Sequence, residues 1–354
     1  MARVGRPEGG ADGSPFISVL VTAHDRRKYL RGAVENLLAQ SLSRRDFEIL
    51  VVKNFEDPEV DRFLDDLGIV QWVTSAGPLA EKVVEGLSRA RGRVLTFLED
   101  DDRYDPERLA AVASAFRTDP NLGFYRNGFE VIDEDDRPFS GWLPDAVRRS
   151  HDRARDFRVP VAEKDRSYRA LMETYPDFNS STMAIRRDIL ASAVPFLRRI
   201  TAGVDRFLFH VGLAANGTIA LDARPLTRYR FHPGNTGIAG VPAVDLSARL
   251  DRIMASDRTD EAVIDELLHT TDLPTAVHEL GGRRLVLEID SLVRCTPTDR
   301  RRMAGNLLRV PRYRRTQPLR ANRRLGLEGA VYLLSPSAAR RLHQRRVAKW
   351  LRRA

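Results

Sequence analysis

Val94-Leu95-Thr96-Phe97-Leu98-Glu99-Asp100-Asp101-Asp102 joins a short apolar run to four consecutive carboxylates. Val94 to Leu98 is β-branched and aromatic without alternation, the pattern of a parallel strand covered on both faces. Carboxylates crowded at the end of a strand raise one another's pKa unless a cation sits between them. In open α/β sheets the C-terminal end of a strand is also where ligands bind. A hard, oxygen-preferring ion such as Mg²⁺ or Mn²⁺ suits that cluster and bridges to phosphates. The competing reading is a solvated acidic turn, with Asp105-Pro106-Glu107 opening the next helix.

Working outward, Phe16 to Val21, Phe47 to Val52 and Ile69 to Val73 read as further strands. Between them run helical patterns: Leu30, Ala33, Val34, Leu37 and Leu38; then Val60, Phe63, Leu64 and Leu67 after Pro58; then Ala80 to Ala90. Leu109, Val112, Ala113 and Phe116 mark a helix after the acidic run. Such alternation predicts an α/β fold with a doubly wound, mostly parallel, Rossmann-like sheet. From Asp133 the pattern loosens. Asp133 to Asp136 reads as a polar turn and Ser140 to Arg166 as loop. A helix over Tyr168–Thr174, a strand over Ser181–Ile185, a helix over Asp205–Asn216 and a strand over Leu226–Phe231 follow.

The 354 residues, 42% hydrophobic and 30% charged, suit a globular protein with ample core. A single cysteine, Cys295, excludes an intrachain disulfide framework and fits a reducing cytoplasm. No apolar run is long enough to span a bilayer, and Met1 to Ser14 reads as a disordered leader without a secretory h-region. The net charge of +9 is unevenly spread. Residues 281–354 hold 20 Lys and Arg against 4 Asp and Glu, so the rest of the chain is mildly acidic.

The turn after the first strand, Thr22-Ala23-His24-Asp25-Arg26, carries neither G-x-G-x-x-G nor a P-loop, which argues against dinucleotide dehydrogenases and P-loop enzymes. Four elements then coincide in order. Phe16 to Gln40 supplies a strand, a polar turn and a helix ending in Gln. Gly77-Pro78-Leu79-Ala80-Glu81-Lys82 through Gly92 leads into the acidic strand, whose Leu98 to Asp102 falls on a D-x-D position. Val204-Asp205-Arg206-Phe207-Leu208 and Tyr229-Arg230-Phe231-His232-Pro233-Gly234-Asn235 complete the set. Together, over roughly residues 16 to 240, they resemble a family 2 glycosyltransferase of the inverting, GT-A type.

The resemblance implies transfer of a sugar from a nucleoside-diphosphate sugar to a hydroxyl on a glycan or lipid-linked acceptor, with Mg²⁺ or Mn²⁺. It implies a domain over 15–240, whose halves 15–132 and 133–240 take donor and acceptor, and a helical, Arg-rich region over 241–354. Asp205 would be the general base, although a helix N-cap is the alternative. Asp101, Asp102 and His232 would face the metal. Thr22, Ala23, His24, Asp25, Arg26, Lys53, Asn54, Lys82, Glu99, Asp100 and Arg230 would face the donor, and Asn179, Ser180 and Ser181 the acceptor. Lys82 and Arg230, as phosphate partners, could equally be surface charges. Two departures stand out: Lys53-Asn54 replaces an acidic pair, removing the carboxylate acceptor expected for a uracil N–H, and Val204 replaces a Glu. A nucleotidyltransferase and a catalytically inactive sugar-nucleotide-binding protein are the competing functions.

The basic tail mixes Arg300-Arg301-Arg302, Arg314-Arg315 and Arg323-Arg324 with Tyr332-Leu333-Leu334 and Trp350. Basic amphipathic helices with aromatic anchors lie in the headgroup plane, so the expected partner is an anionic membrane surface on the cytoplasmic side. A solvated tail is the alternative. No nucleic-acid module supports a third reading.

Overall fold

The structure, a computed structural model, describes residues 13–25, 27–74, 77–141, 143, 145–232, 243–294 and 298–351. The expectations for Arg26, for Pro233-Gly234-Asn235, for residues 1–12 of the leader and for the Trp350 side chain lie outside the described residues.

Among the described residues nine strands form one sheet: β1 (Ile17–Ala23), β2 (Phe47–Lys53), β3 (Val70–Val73), β4 (Val94–Glu99), β5 (Arg103–Tyr104), β6 (Leu122–Ile132), β7 (Phe157–Val159), β8 (Met183–Arg186) and β9 (Thr218–Arg230). Their order is β3-β2-β1-β4-β8-β6-β9-β5, with β7 also on β9. The first four are parallel, joined by helices α1 (Arg27–Leu38), α2 (Pro58–Asp66) and α3 (Leu79–Arg89). β1 and β2 are buried at every position, which is why neither alternates. Asp57 caps α2 by accepting the Val60 N–H, with Pro58 just inside the helix.

Helix α4 (Arg108–Thr118) leads into β6, which pairs with β9 in parallel, while β8 runs antiparallel between β4 and β6. The stretch expected as loop is ordered instead. It holds α5 (Asp145–Asp152), β7 antiparallel on β9, a 3₁₀ turn over Val161–Glu163 and the start of α6 (Lys164–Met172). These elements are too short and too charged to show a period in the sequence. Helices α7 (Arg187–Ser192), α8 (Val194–Leu197) and α9 (Val204–Ala214) follow around β8.

Lys164 is buried and donates to the carbonyls of Gly212 (2.8 Å) and Ala215 (2.6 Å), closing the C-terminal end of α9 with a positive charge. Burial pushes its ammonium down to about 8. Lys164→Met should therefore cost about 2–4 kcal/mol, because two inner carbonyls lose their donor. Urea unfolding with an unchanged m-value would check this.

Described residues group into two compact units, one formed by residues up to 140 with 146–164 and 170–232. The other comprises 141–145, 165–169 and the described residues beyond 232. It contains α10 (Ala243–Leu268), α11 (Pro274–Arg294), α12 (Arg300–Tyr313), α13 (Gln317–Ala321), α14 (Leu325–Leu334) and α15 (Pro336–Leu351). Its core is built from Leu285, Ile289, Val293, Met303, Tyr313, Leu319, Leu325, Tyr332 and Ala339. At Gly281 the ring of Tyr313 lies 2.7 Å from where a Cβ would stand, so only glycine permits this packing. The basic region is thus a folded helical unit and not a solvated tail. Tyr332 is fully buried and its Oη accepts the Asp299 N–H at 3.0 Å. It is a core residue, and the expectation that it anchors the tail in lipid is corrected. Among the described residues no helix is long and apolar enough to cross a membrane.

Candidate active site

The acidic run turns at the C-terminal end of β4, beside the end of β1. The Asp100 N–H donates to the Thr22 carbonyl (3.1 Å) and the Asp102 N–H to the Glu99 carbonyl (3.0 Å). Asp100, Asp101 and Asp102 are all buried, so the solvated-turn reading fails. Desolvation, reinforced by the charge of Asp101, raises the Asp102 carboxyl well above the usual carboxylate range.

The three aspartates are held differently. Asp102 accepts the Arg230 N–H on one oxygen (2.9 Å) and the Asn179 side-chain amide on the other (2.9 Å), which makes it a brace between β4, β9 and the segment before β8. Asp101 Oδ2 lies 3.0 Å from His232 Nε2. The Arg230 guanidinium binds the main-chain oxygen of Asp101 (2.7 Å), the Asp133 carbonyl (2.6 Å) and the Asp136 carboxylate. Arg230 is therefore neither a surface charge nor an open phosphate contact; it clamps the acidic turn to the 133–136 turn. Both Asp102 oxygens are taken by Arg230 and Asn179, so the oxygen and nitrogen donors left at the turn are those of the buried Asp100, Asp101 and His232, donor types that Mg²⁺ and Mn²⁺ accept.

Asp205 is half-buried in the first turn of α9, whose N-cap is Gly203, so the N-cap alternative is ruled out. Its Oδ2 accepts the Asn179 N–H at 3.2 Å and its Oδ1 the Arg206 N–H at 2.8 Å. Burial raises its pKa, and the nearby charge of Asp177 adds to that, against lowering by Arg206. Asn179 thus touches both Asp102 and Asp205. It is buried, as are Ser180 and Ser181, whose hydroxyls bond Glu99: Ser180 Oγ donates to the carboxylate (3.0 Å) and Ser181 Oγ accepts its N–H (3.1 Å). All three side chains thus hold the frame around the acidic turn and Asp205.

On the nucleotide side, Asp25 has φ +57° and is locked to Asn54 by two hydrogen bonds of 2.9 and 2.8 Å. Lys82 is buried and donates to the Ala23 carbonyl (2.8 Å), with His24 Nδ1 at 3.0 Å, so it shapes the Thr22-Ala23-His24-Asp25 turn. Lys53 is buried in an ion pair with Asp61 (3.0 Å) and a bond to Gln71 (2.9 Å). A structural pair accounts for it, and the expectation that it meets the donor is corrected.

Two contributors escape sequence reasoning. Tyr29 packs its ring 5.4 Å from His232 and 4.9 Å from the Arg230 guanidinium. Arg108, fully buried, donates to Asn127, Thr96 Oγ1 and the Met183 carbonyl, tying β4, β6 and β8 together beneath the site. Neither sits in a recognisable spacing; an Arg at an otherwise apolar helix face is the only signal.

Residues 18–193 match the family model described as Glycosyl transferase family 2, and through them the chain belongs to that family. It is 27% identical over 193 residues to an O-antigen biosynthesis protein of Myxococcus xanthus, spanning 51% of this chain and 15% of that protein. It is 26% identical over 133 residues to an uncharacterized glycosyltransferase of Nostoc, spanning 34% of this chain and 38% of the other. The chain thus spans well under half the length of these curated relatives. Residues 1–349 of TarS from S. aureus superpose with a TM-score of 0.50 at 13% identity, covering 86% of this chain and 91% of that one. A second structure of that protein, in complex with UDP-GlcNAc, has a TM-score of 0.50 at 15% identity. The fold is GT-A.

Proposed function

We propose that this chain transfers a sugar, with inversion, from a nucleoside-diphosphate sugar to a hydroxyl of a glycan or lipid-linked acceptor. The observation that carries the reading is Asn179, which fastens Asp102 of the acidic turn and Asp205 into one frame. The acceptor oxygen attacks the anomeric carbon, the bond to the nucleoside diphosphate breaks, and the acceptor proton passes to the Asp205 carboxylate. A half-buried carboxylate with a raised pKa is a stronger base than a solvated one yet stays reachable. A divalent ion held by Asp101 and His232, with Asp100, would neutralise the charge that grows on the departing diphosphate. Glu99 and the Asp25–Asn54 pair stand where ribose and base would lie, at the carboxyl ends of β4, β1 and β2. Thermal stabilisation across UDP-, GDP- and dTDP-sugars with Mn²⁺ tests donor binding; no stabilisation by any of them contradicts it.

The helical unit supplies the second half of the proposal, contact with an anionic lipid surface at the cytoplasmic face. Leu327 (62% exposed) and Leu334 (85% exposed) lie seven residues apart on one face of α14, and Arg320, Arg323 and Arg324 are exposed just before it. Each arginine contributes about 1 kcal/mol at such a surface. Reversing all three to Glu should lower affinity for phosphatidylglycerol vesicles at least about a hundredfold, by sedimentation at low salt.

A further inference from the structure

Beside Asp205 lies an aromatic cluster that the transfer chemistry above does not use. Phe178 directly precedes Asn179, and Tyr229 directly precedes Arg230, the two residues that bind Asp102. Their rings meet edge to face with centroids 5.3 Å apart. Phe129, buried on β6, lies under both, at 5.5 Å from Phe178 and 5.9 Å from Tyr229. Register places Tyr229 opposite Val131 on the parallel pair, so Phe129 and Tyr229 share a face of the sheet. At the rim, His151 is exposed and packs on Phe129 at 5.9 Å. Phe178 and Tyr229 are only half-buried.

The backbone that presents Phe178 is held in an unfavourable conformation. Tyr175 (φ +50°) and Asn179 (φ +61°) both occupy the left-handed region and bracket the Pro176-Asp177-Phe178 segment. Left-handed backbone at non-glycine residues persists where surrounding contacts over-determine it, and it clusters at ligand clamps. Here Arg149 grips the Tyr175 hydroxyl at 2.9 Å, and Asn179 is fixed by Asp102 and Asp205.

We propose that Phe178 and Tyr229, on the floor of Phe129, form the acceptor subsite and bind a pyranose ring. This rests on the transfer reading above and names its acceptor as a sugar. An aromatic platform offers apolar contact to the C–H face of a sugar ring, and its few polar neighbours fix orientation. His151, exposed at the rim, is a group of the right kind for ring hydroxyls, while Asp177 beside Phe178 is held by Arg206. Placement one residue from Asn179 brings a bound ring beside Asp205, where one hydroxyl must surrender its proton. A plain alkyl alcohol or a peptide serine would use neither the platform nor that rim.

The test is saturation-transfer NMR on the full chain with methyl glucoside, methyl mannoside and methyl galactoside, and with sorbitol as an acyclic control. At least one pyranoside should receive saturation at its ring C–H protons while sorbitol does not. Phe178→Leu, which keeps apolar volume without a ring, and Tyr229→Ala should each weaken that binding about tenfold. Absence of pyranoside binding, or unchanged binding in both variants, would overturn the subsite. Pyranoside binding by a chain that hydrolyses no sugar nucleotide would keep the sugar site and reject the transfer reading.

Discussion

Asp205→Asn should leave donor affinity intact and lower the transfer rate by about 10²–10⁴-fold, the ordinary worth of a general base. The amide keeps the shape but has a single acceptor oxygen, so it can hold only one of the Asn179 and Arg206 N–H groups that Asp205 takes on its two oxygens. It also loses the capacity to take a proton. The pH profile sharpens the test. Since burial raises the pKa of Asp205, the acid limb of kcat/KM should fall at a pH above the usual aspartate range. The rate falls as pH drops through that value because only the carboxylate accepts the proton. In the Asn variant the limb should vanish along with the rate. An equal loss of donor affinity would mark Asp205 as structural.

Asp101→Asn carries the second large effect, and its sign differs between stability and activity. In the metal-free protein, Asp101 is one of three adjacent buried carboxylates, and its charge helps push the Asp102 pKa upward. Replacing it with a neutral isostere relieves like-charge repulsion, so the metal-free variant should melt at or above the temperature of the unmodified protein. The Mn²⁺-dependent rise in melting temperature should be lost, and release of nucleoside diphosphate should drop to background. Function and stability trade against each other at such a cluster. A variant that keeps both the Mn²⁺ response and turnover would remove Asp101 from the metal site.

Strands β1, β2 and β4 are legible in the residues alone, because parallel strands covered on both faces read as near-continuous apolar runs, whereas β3 is exposed at Val70 and Val73. β6 stays hidden for the opposite reason. Its centre, Arg126-Asn127-Gly128, interrupts the apolar run, yet Arg126 and Asn127 are buried, Arg126 bonding Ser150 and Asn127 bonding Thr227 and Arg108, all outside the strand. Roles inside the acidic run are equally hidden. That Asp102 braces the fold while Asp101 faces His232 depends on partners 128 and 131 residues away. Lys53 and Arg230 look like free cations in the sequence and prove to be buried clamps. Residue type and spacing locate a charge cluster, but only packing decides which charges the fold consumes.

The central claim is that donor cleavage produces a nucleoside diphosphate with the sugar delivered to a hydroxyl. Its most direct measurement is chromatographic analysis of the nucleotide released from a panel of UDP-, GDP- and dTDP-sugars with Mn²⁺, comparing the unmodified chain with Asp101→Asn. Release of nucleoside diphosphate from at least one donor, dependent on Mn²⁺ and absent in the variant, is the predicted result. Pyrophosphate in its place would indicate a nucleotidyltransferase, and silence across every donor would indicate a sugar-nucleotide-binding protein without catalysis; either would contradict the account.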